Sequence, residues 1–199
     1  FILREHFNQN FENKFKSGST PRKRVFGKGI KRWVTPTDIC KFGYLDMDER
    51  IICDNTNLKK DCTIIVNRTS KEGLGRYVGI SFFYDYNDNG EGQHNQGGYR
   101  IEDYDKDTLM YISLLLNSEF YRKLCGNISL GSKMKEIKIK NFAEIPFPNF
   151  DKSIRNQIIN LYNNNMVYPK DIDILKFNKM DEEITKMSGI LQLARDIKK

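Results

Sequence analysis

Histidine is almost absent: the 199-residue chain has two, His6 and His94, together with one Trp, five Pro and four Cys. The scarcity restricts the chemistry on offer. A Cys–His nucleophile pair could draw only on His6 or His94, and neither sits in a recognisable motif. Cys40, Cys53, Cys62 and Cys125 form no C-x-x-C pair, so zinc-ribbon spacing is missing. A chain this long does not need a disulfide framework, and the cysteines read as buried thiols of a cytoplasmic protein. No apolar run approaches the roughly 20 residues of a membrane helix, and the first residues match no signal-peptide pattern. Beginning at Phe1, the chain reads as a piece of a larger protein cut at a domain boundary.

Nucleotide-binding loops are missing too. Gly73-Leu-Gly75 supplies two glycines of a dinucleotide fingerprint but neither the third nor its strand-to-helix setting. There is no Walker loop and no Gly-x-Ser-x-Gly elbow. Asp85, Asp88 and Glu91 come nearest to a cation loop, without the twelve-residue pattern or its terminal Glu. No cofactor or metal is therefore expected in this chain. Scattered carboxylates leave a small metal-dependent nuclease as an alternative, with Asp85 and Asp88 as its candidates.

What the chain does have is a core and a polarised charge. Hydrophobic residues make up 39% and charged residues 30%, with 13 Phe and 10 Tyr, which describes a globular domain. Net charge is +7. The segment 21–33 holds Arg22, Lys23, Arg24, Lys28, Lys31 and Arg32 and no acid, whereas 85–107 is dominated by Asp and Glu. A basic face admits nucleic acid or an acidic protein as partner.

Periodicity gives a coarse plan. Phe7, Phe11 and Phe15 predict a helix over 1–16. Residues 51–52, 63–66 and 76–86 read as strands, with 98–101 returning after the turn signal Asn87-Asp-Asn-Gly-Glu-Gly92. The Gly-rich stretch 92–98 reads as a mobile loop. A helix capped by Asp107 or Thr108 should carry Leu109, Ile112, Leu115 and Leu116. Ser118 should cap a second helix that stops near Gly126. Residues 137–148 read as a short strand, and 151–162 as an amphipathic helix. Met180 to Lys199 predicts a last helix, with Ile184, Met187, Leu191 and Ala194 on one stripe, for docking or self-association. Together these predict an α+β fold: a twisted, mostly antiparallel sheet or partial barrel, followed by a helical C-terminal half. The expected divisions are an N-terminal helix or linker over 1–20, a central domain over 21–168 and a docking or spacer helix over 169–199.

The most specific block is Leu114-Leu-Leu-Asn-Ser-Glu-Phe-Tyr-Arg-Lys-Leu124, then the Gly-Ser-Lys loop at 131–133, then Ile137-Lys-Ile-Lys-Asn-Phe-Ala-Glu-Ile-Pro-Phe-Pro148, then a helix with an Arg155-Asn-Gln-Ile-Ile159 core. This order resembles the target recognition domain of restriction–modification systems. Such domains occur in Type I specificity subunits and in the C-terminal region of Taq-type adenine-specific DNA methyltransferases. Cys62-Thr-Ile-Ile-Val-Asn-Arg-Thr-Ser70 is similar to the family's strand-and-loop carrying an Arg beside small polar residues. The family's Asn-Pro-Pro-Tyr and Phe-x-Gly-x-Gly motifs do not occur here. The resemblance thus implies a bacterial, cytoplasmic, non-catalytic reader of double-stranded DNA. It implies an upstream methyltransferase domain or subunit, acting on adenine N6, which would bind S-adenosylmethionine.

Reading a base pair needs donors and acceptors on rigidly held loops. Arg32, Arg68 and Arg76 are candidates for guanine, and Asn67, Gln93, Asn95 and Gln96 for adenine. Lys23, Arg24, Lys28, Lys31, Lys71 and Lys133, with Arg22 beside them, are candidates for phosphate. The reading surface is expected from 22–33, 68–76 and 93–98. Trp33 could stack on a base or belong to the core.

Overall fold

The computed structural model describes residues 15–19, 24–26, 31–36, 50–52, 58, 62–71, 77–102, 105–132, 134–145, 147 and 152–165. Among these residues eight strands make two four-stranded sheets: β1 (Phe15–Ser17), β2 (Arg24–Phe26), β3 (Lys31–Val34), β4 (Arg50–Ile52), β5 (Cys62–Asn67), β6 (Ser81–Asp85), β7 (Gly92–His94) and β8 (Gly98–Ile101). The main sheet has the order β1-β8-β5-β6 and is antiparallel throughout. The smaller sheet has the order β2-β4-β3-β7, with β3 and β7 parallel. The helices are α1 (Tyr86–Asn89), α2 (Lys106–Asn117), α3 (Glu119–Ile128), α4 (Ile139–Ala143) and α5 (Lys152–Asn165). The expected α+β class and helical C-terminal half are present. The sheet is not closed into a barrel.

Strand β5 explains how the main sheet is buried on both faces. Its side chains alternate by strand geometry. Cys62, Ile64 and Val66 pack with Phe83, Ile101 and the apolar residues of α2, while Ile65 packs with Val34, Leu58, Ile80 and Tyr84 toward the smaller sheet. A strand covered on both sides needs no polar face, and β5 is buried at every position. Helix α2 is similarly enclosed: all residues from Thr108 to Asn117 are buried. Between 109 and 116 every residue but Ser113 is apolar, the pattern of a helix enclosed in a core. Phe15 reaches this core from β1 and meets the Phe142 ring edge-on at 5.7 Å.

The boundary between α2 and α3 is a structural joint. Ser118 is extended (φ −65°, ψ 152°), which ends α2. Its hydroxyl donates to Leu115 O at 2.8 Å and accepts from the Tyr121 N–H at the start of α3. One residue earlier, the Asn117 amide faces the outer edge of β6. It accepts from the Ser81 N–H at 2.8 Å and donates to Ser81 O at 2.9 Å. The Ser81 hydroxyl also reaches Ser113 O at 3.1 Å. A side-chain amide thereby takes the place of a neighbouring strand at a buried sheet edge.

Several local expectations change. Phe15 lies in β1 and not in a helix, because pairing with Ile101 carries it into the core; residues 1–14 lie outside the described residues. The strand expected over 76–86 begins at Ser81, after a turn in which Gly79 has φ 84°. Its predicted partner β8 pairs with β5 and β1 instead. Gly92–His94, read as a mobile loop, is the buried strand β7. The cap of α2 is Asp105, whose carboxylate accepts from the Asp107 and Thr108 amides. Helix α3 runs past Gly126 to Ile128. The Ile-Lys-Ile-Lys alternation at 137–140 does not make a strand: Ile139–Ala143 is helical, because Phe142 and Ala143 are buried that way. Four alternating residues are too few to separate the two periods. The helix expected over 180–199 lies outside the described residues.

Replacing Asn117 with Leu keeps bulk but leaves the buried Ser81 N–H and C=O unpaired. The expected loss is about 2–4 kcal/mol of unfolding free energy by urea titration. A loss below about 0.5 kcal/mol, the scale of ordinary surface changes, would refute the strand-substitute role of Asn117.

Candidate nucleic-acid interface

Three chain segments meet at one end of the main sheet, just past β5. The residues 67–71 leave the strand there. Arg68 N donates to Gly97 O at 3.0 Å, joining the crossing segment Asn95-Gln96-Gly97 between β7 and β8. Ile137 N donates to Arg68 O at 3.0 Å, and Ser70 N to Lys135 O at 2.9 Å, joining the loop after α3. That loop is closed by a reciprocal pair between Leu130 and Glu136, at 2.8 and 2.7 Å. Gly131 turns it with φ 107°, where an added Cβ would strike Met134 O. Leu130 and Met134 flank the tip and are 58% and 55% exposed.

The side chains at this end are mostly cationic. Lys71, Lys138 and Lys140 are exposed, Lys135 is half-buried, and Gln96 is exposed. Arg68 is half-buried, its Nε and Nη2 donating to one oxygen of Glu136 at 2.9 and 2.5 Å. Lys138 donates to the same oxygen at 2.7 Å. These bonds from Lys138 and Arg68 hold the Glu136 carboxyl below its usual range. Lys135, Lys138 and Lys140 were not singled out by sequence reasoning. Their signal was present in the run from 133 to 140, which carries four Lys and one Glu.

The expected site residues divide into three groups. Arg68, Lys71, Asn95 and Gln96 come together at this end, and the loop carrying Lys133 joins them, although Lys133, like Arg22, Lys23, Lys28 and Arg76, lies outside the described residues. Asn95 is occupied locally: its side-chain oxygen accepts from Gly97 N at 2.5 Å and fixes the crossing turn. Arg24, Lys31 and Arg32, expected in a loop segment, lie in strands of the smaller sheet. Register puts Arg24, Ile52 and Lys31 in one row across three strands, and Arg32 in the next row with Val25, Ile51 and Gly92.

Asn67 and Gln93 are corrections to the expectation of surface readers. They are 0% and 2% exposed. The Asn67 amide donates to Pro36 O at 3.4 Å, and the Gln93 amide to the Ser19 hydroxyl at 2.7 Å. Both tie main-sheet segments to segments of the smaller sheet. Trp33 is buried as well, opposite Gln93 in the β3–β7 register. Asp85, the first carboxylate considered for a cation or nuclease site, caps α1 through the Asn87 amide and holds Lys106 at 2.7 Å. Burial pushes its carboxyl up, but Lys106 and the Asn87 amide outweigh that and lower it. Among the described residues no group of three or more His, Cys, Asp or Glu is arranged to hold a metal ion. No described helix is long and apolar enough to cross a membrane.

No protein-family model and no curated protein matches the sequence. Solved structures do match the fold. The crystal structure of a Type I restriction–modification S subunit from M. genitalium aligns over 78% of this chain and 37% of its own, at 16% identity and TM-score 0.53. The chain has the fold of part of an S subunit. The resemblance carried by the Leu-Leu-Asn-Ser block therefore holds at the level of fold, and the chain spans about a third of that subunit. The Type IIL restriction–modification enzyme MmeI, solved in complex with DNA, aligns over 72% of this chain and 19% of its own, at 15% identity and TM-score 0.44.

His94 links this end to the adjoining β8. It is fully buried, and Arg100 Nη1 donates to its Nε2 at 3.3 Å. Its Nδ1 then donates to Asn95 O at 3.2 Å, which fixes the neutral tautomer. Burial, with Arg100 adding to it, lowers its pKa to about 3. The unfolded chain takes up the proton near pH 6.5 and the folded chain does not. Folding stability is therefore full above pH 6.5 and falls as pH drops toward 3, by about 1.4 kcal/mol per unit. From pH 7.5 to 5 the wild-type chain should lose about 2 kcal/mol through His94, a loss missing in His94→Gln. Urea titrations at the two pH values check this; a wild-type–variant difference that stays constant would refute it.

Proposed function

We propose that this chain is the DNA-recognition domain of a restriction–modification enzyme, non-catalytic by itself. It reads double-stranded DNA for a methyltransferase domain or subunit that carries S-adenosylmethionine and modifies adenine N6. In this reading residues 21–168 are the recognising unit and 169–199 a spacer or docking helix. The observation that carries the reading is the convergence of the segments 67–71, 95–97 and 130–138 at one end of a rigid sheet, cationic and sewn together by backbone hydrogen bonds. The S-subunit fold supports it.

The physical fit is to duplex DNA. Affinity for a polyanion comes from lysines and arginines that displace counterions, while specificity needs a few side chains held at fixed positions. The exposed lysines 71, 138 and 140 suit the first role. Gln96 and Arg68 suit the second, since both stand on backbone that the sheet immobilises. The same lysines could bind an acidic protein, and salt-sensitive binding with no preference for duplex DNA over other polyanions would favour that alternative.

Fluorescence anisotropy with a duplex of about 30 base pairs tests the proposal. If about six phosphates are neutralised, affinity falls about a thousandfold from 50 to 200 mM salt. Changing Lys71, Lys135 and Lys138 together to Gln should lower the log–log salt slope by about three. Binding unaffected by salt, or heparin binding as tight as duplex binding, would remove the DNA-recognition reading.

A further inference from the structure

The geometry points to Glu136 and Tyr99 as positioning residues that aim one edge of the Arg68 guanidinium at a pair of acceptors on DNA. This rests on the DNA-recognition reading and goes further by assigning roles to two residues that no sequence motif marks. Arginine carries two hydrogen-bonding edges, one formed by Nε and one Nη, the other by its two Nη atoms. Glu136 occupies the first edge, with both contacts on a single carboxylate oxygen. Nη1 has no hydrogen-bond partner among the described residues, and the side chain is 29% exposed. The second edge is thus left to meet a ligand.

The two supports are themselves anchored. The Tyr99 ring lies 5.5 Å below the guanidinium carbon. Tyr99 is buried, and its hydroxyl donates to Ile137 O at 3.2 Å. Ile137 N in turn donates to the backbone carbonyl of Arg68 itself. Glu136 is held on its other side by the reciprocal bonds to Leu130. A guanidinium fixed on one edge and one face has few rotamers left, so little ordering remains when the second edge binds. Two convergent acceptors match that edge: guanine O6 with N7, or two oxygens of a phosphate.

Positioning and simple charge counting give opposite signs for the loss of the Glu136 carboxylate. Removing a carboxylate beside a polyanion should strengthen binding; removing a positioning carboxylate should weaken it. The test is selection from a randomised duplex pool with the whole wild-type chain, then titration of the enriched duplex and an unrelated one. Arg68→Ala and Arg68→Lys should each weaken binding to the enriched duplex by about tenfold or more, since lysine lacks the fork. Glu136→Gln should weaken it by about threefold, and Glu136→Asp, which keeps the charge, less. In the Arg68→Ala background the Glu136→Gln loss should vanish, which a general effect on folding would not produce.

Losses confined to the enriched duplex, and reproduced when 7-deazaguanine replaces one guanine, assign the edge to a base. Equal losses on both duplexes assign it to a phosphate. Tighter binding by Glu136→Gln, or no effect of Arg68→Ala, overturns the inference while leaving DNA recognition standing. Failure of the wild-type chain to enrich any duplex overturns both.

Discussion

The outer edge of β6 is the constraint on which the architecture turns. Ser81 is fully buried, yet its N–H and C=O point away from β5, and no strand among the described residues pairs with them. Unpaired backbone groups inside a core cost about as much as a lost hydrogen bond each. Asn117 satisfies both, and this fixes where α2 ends relative to the sheet. Ser118 then has to break the helix and start α3, which returns the chain over the core through Tyr121. The Tyr121 ring stacks on Phe147 at 4.9 Å, and Cys125 is wholly buried against Gly79, its thiol pushed up to about 12. The loop after α3 is delivered to Arg68 because both of its ends are fixed in this way.

The cationic end therefore has a rigid back and an exposed front. Backbone hydrogen bonds from Arg68, Ser70 and Ile137 hold three segments at one level, and Asn95 sets the turn by which the chain passes from the smaller sheet to the main one. Polar residues that sequence alone would send to the surface, Asn67 and Gln93, are spent inside, joining the two sheets. Charge is left on the outside, where lysines retain their solvation and their reach.

Much of this was legible in the chain. The apolar residues at 63–66 marked a strand and those at 109–116 a helix, and Leu-Leu-Asn-Ser announced a helix break with a new cap. Those signals are local: a run of apolar side chains, or a hydroxyl able to take an N–H three residues on, needs no distant partner to be recognised. Elements whose form depends on a neighbour were misjudged. Phe15 became a strand because Ile101 was there to pair with it, and Gly92–His94 became one because β3 lay beside it. Residues 139–143 became helical because Phe142 had a core to enter.

Composition and local pattern by themselves determined the α+β class, the absence of familiar catalytic and nucleotide-binding motifs, the surplus of positive charge and the cap at Ser118. Only the tertiary structure decided which polar side chains face solvent, which strands share a sheet, and that Arg68, Lys71, Gln96, Lys135 and Lys138 stand together. The physical reason is range. Propensity, capping and charge act within a few residues, whereas burial and strand pairing join positions as far apart as Arg68 and Glu136 and are settled only when the chain has closed on itself.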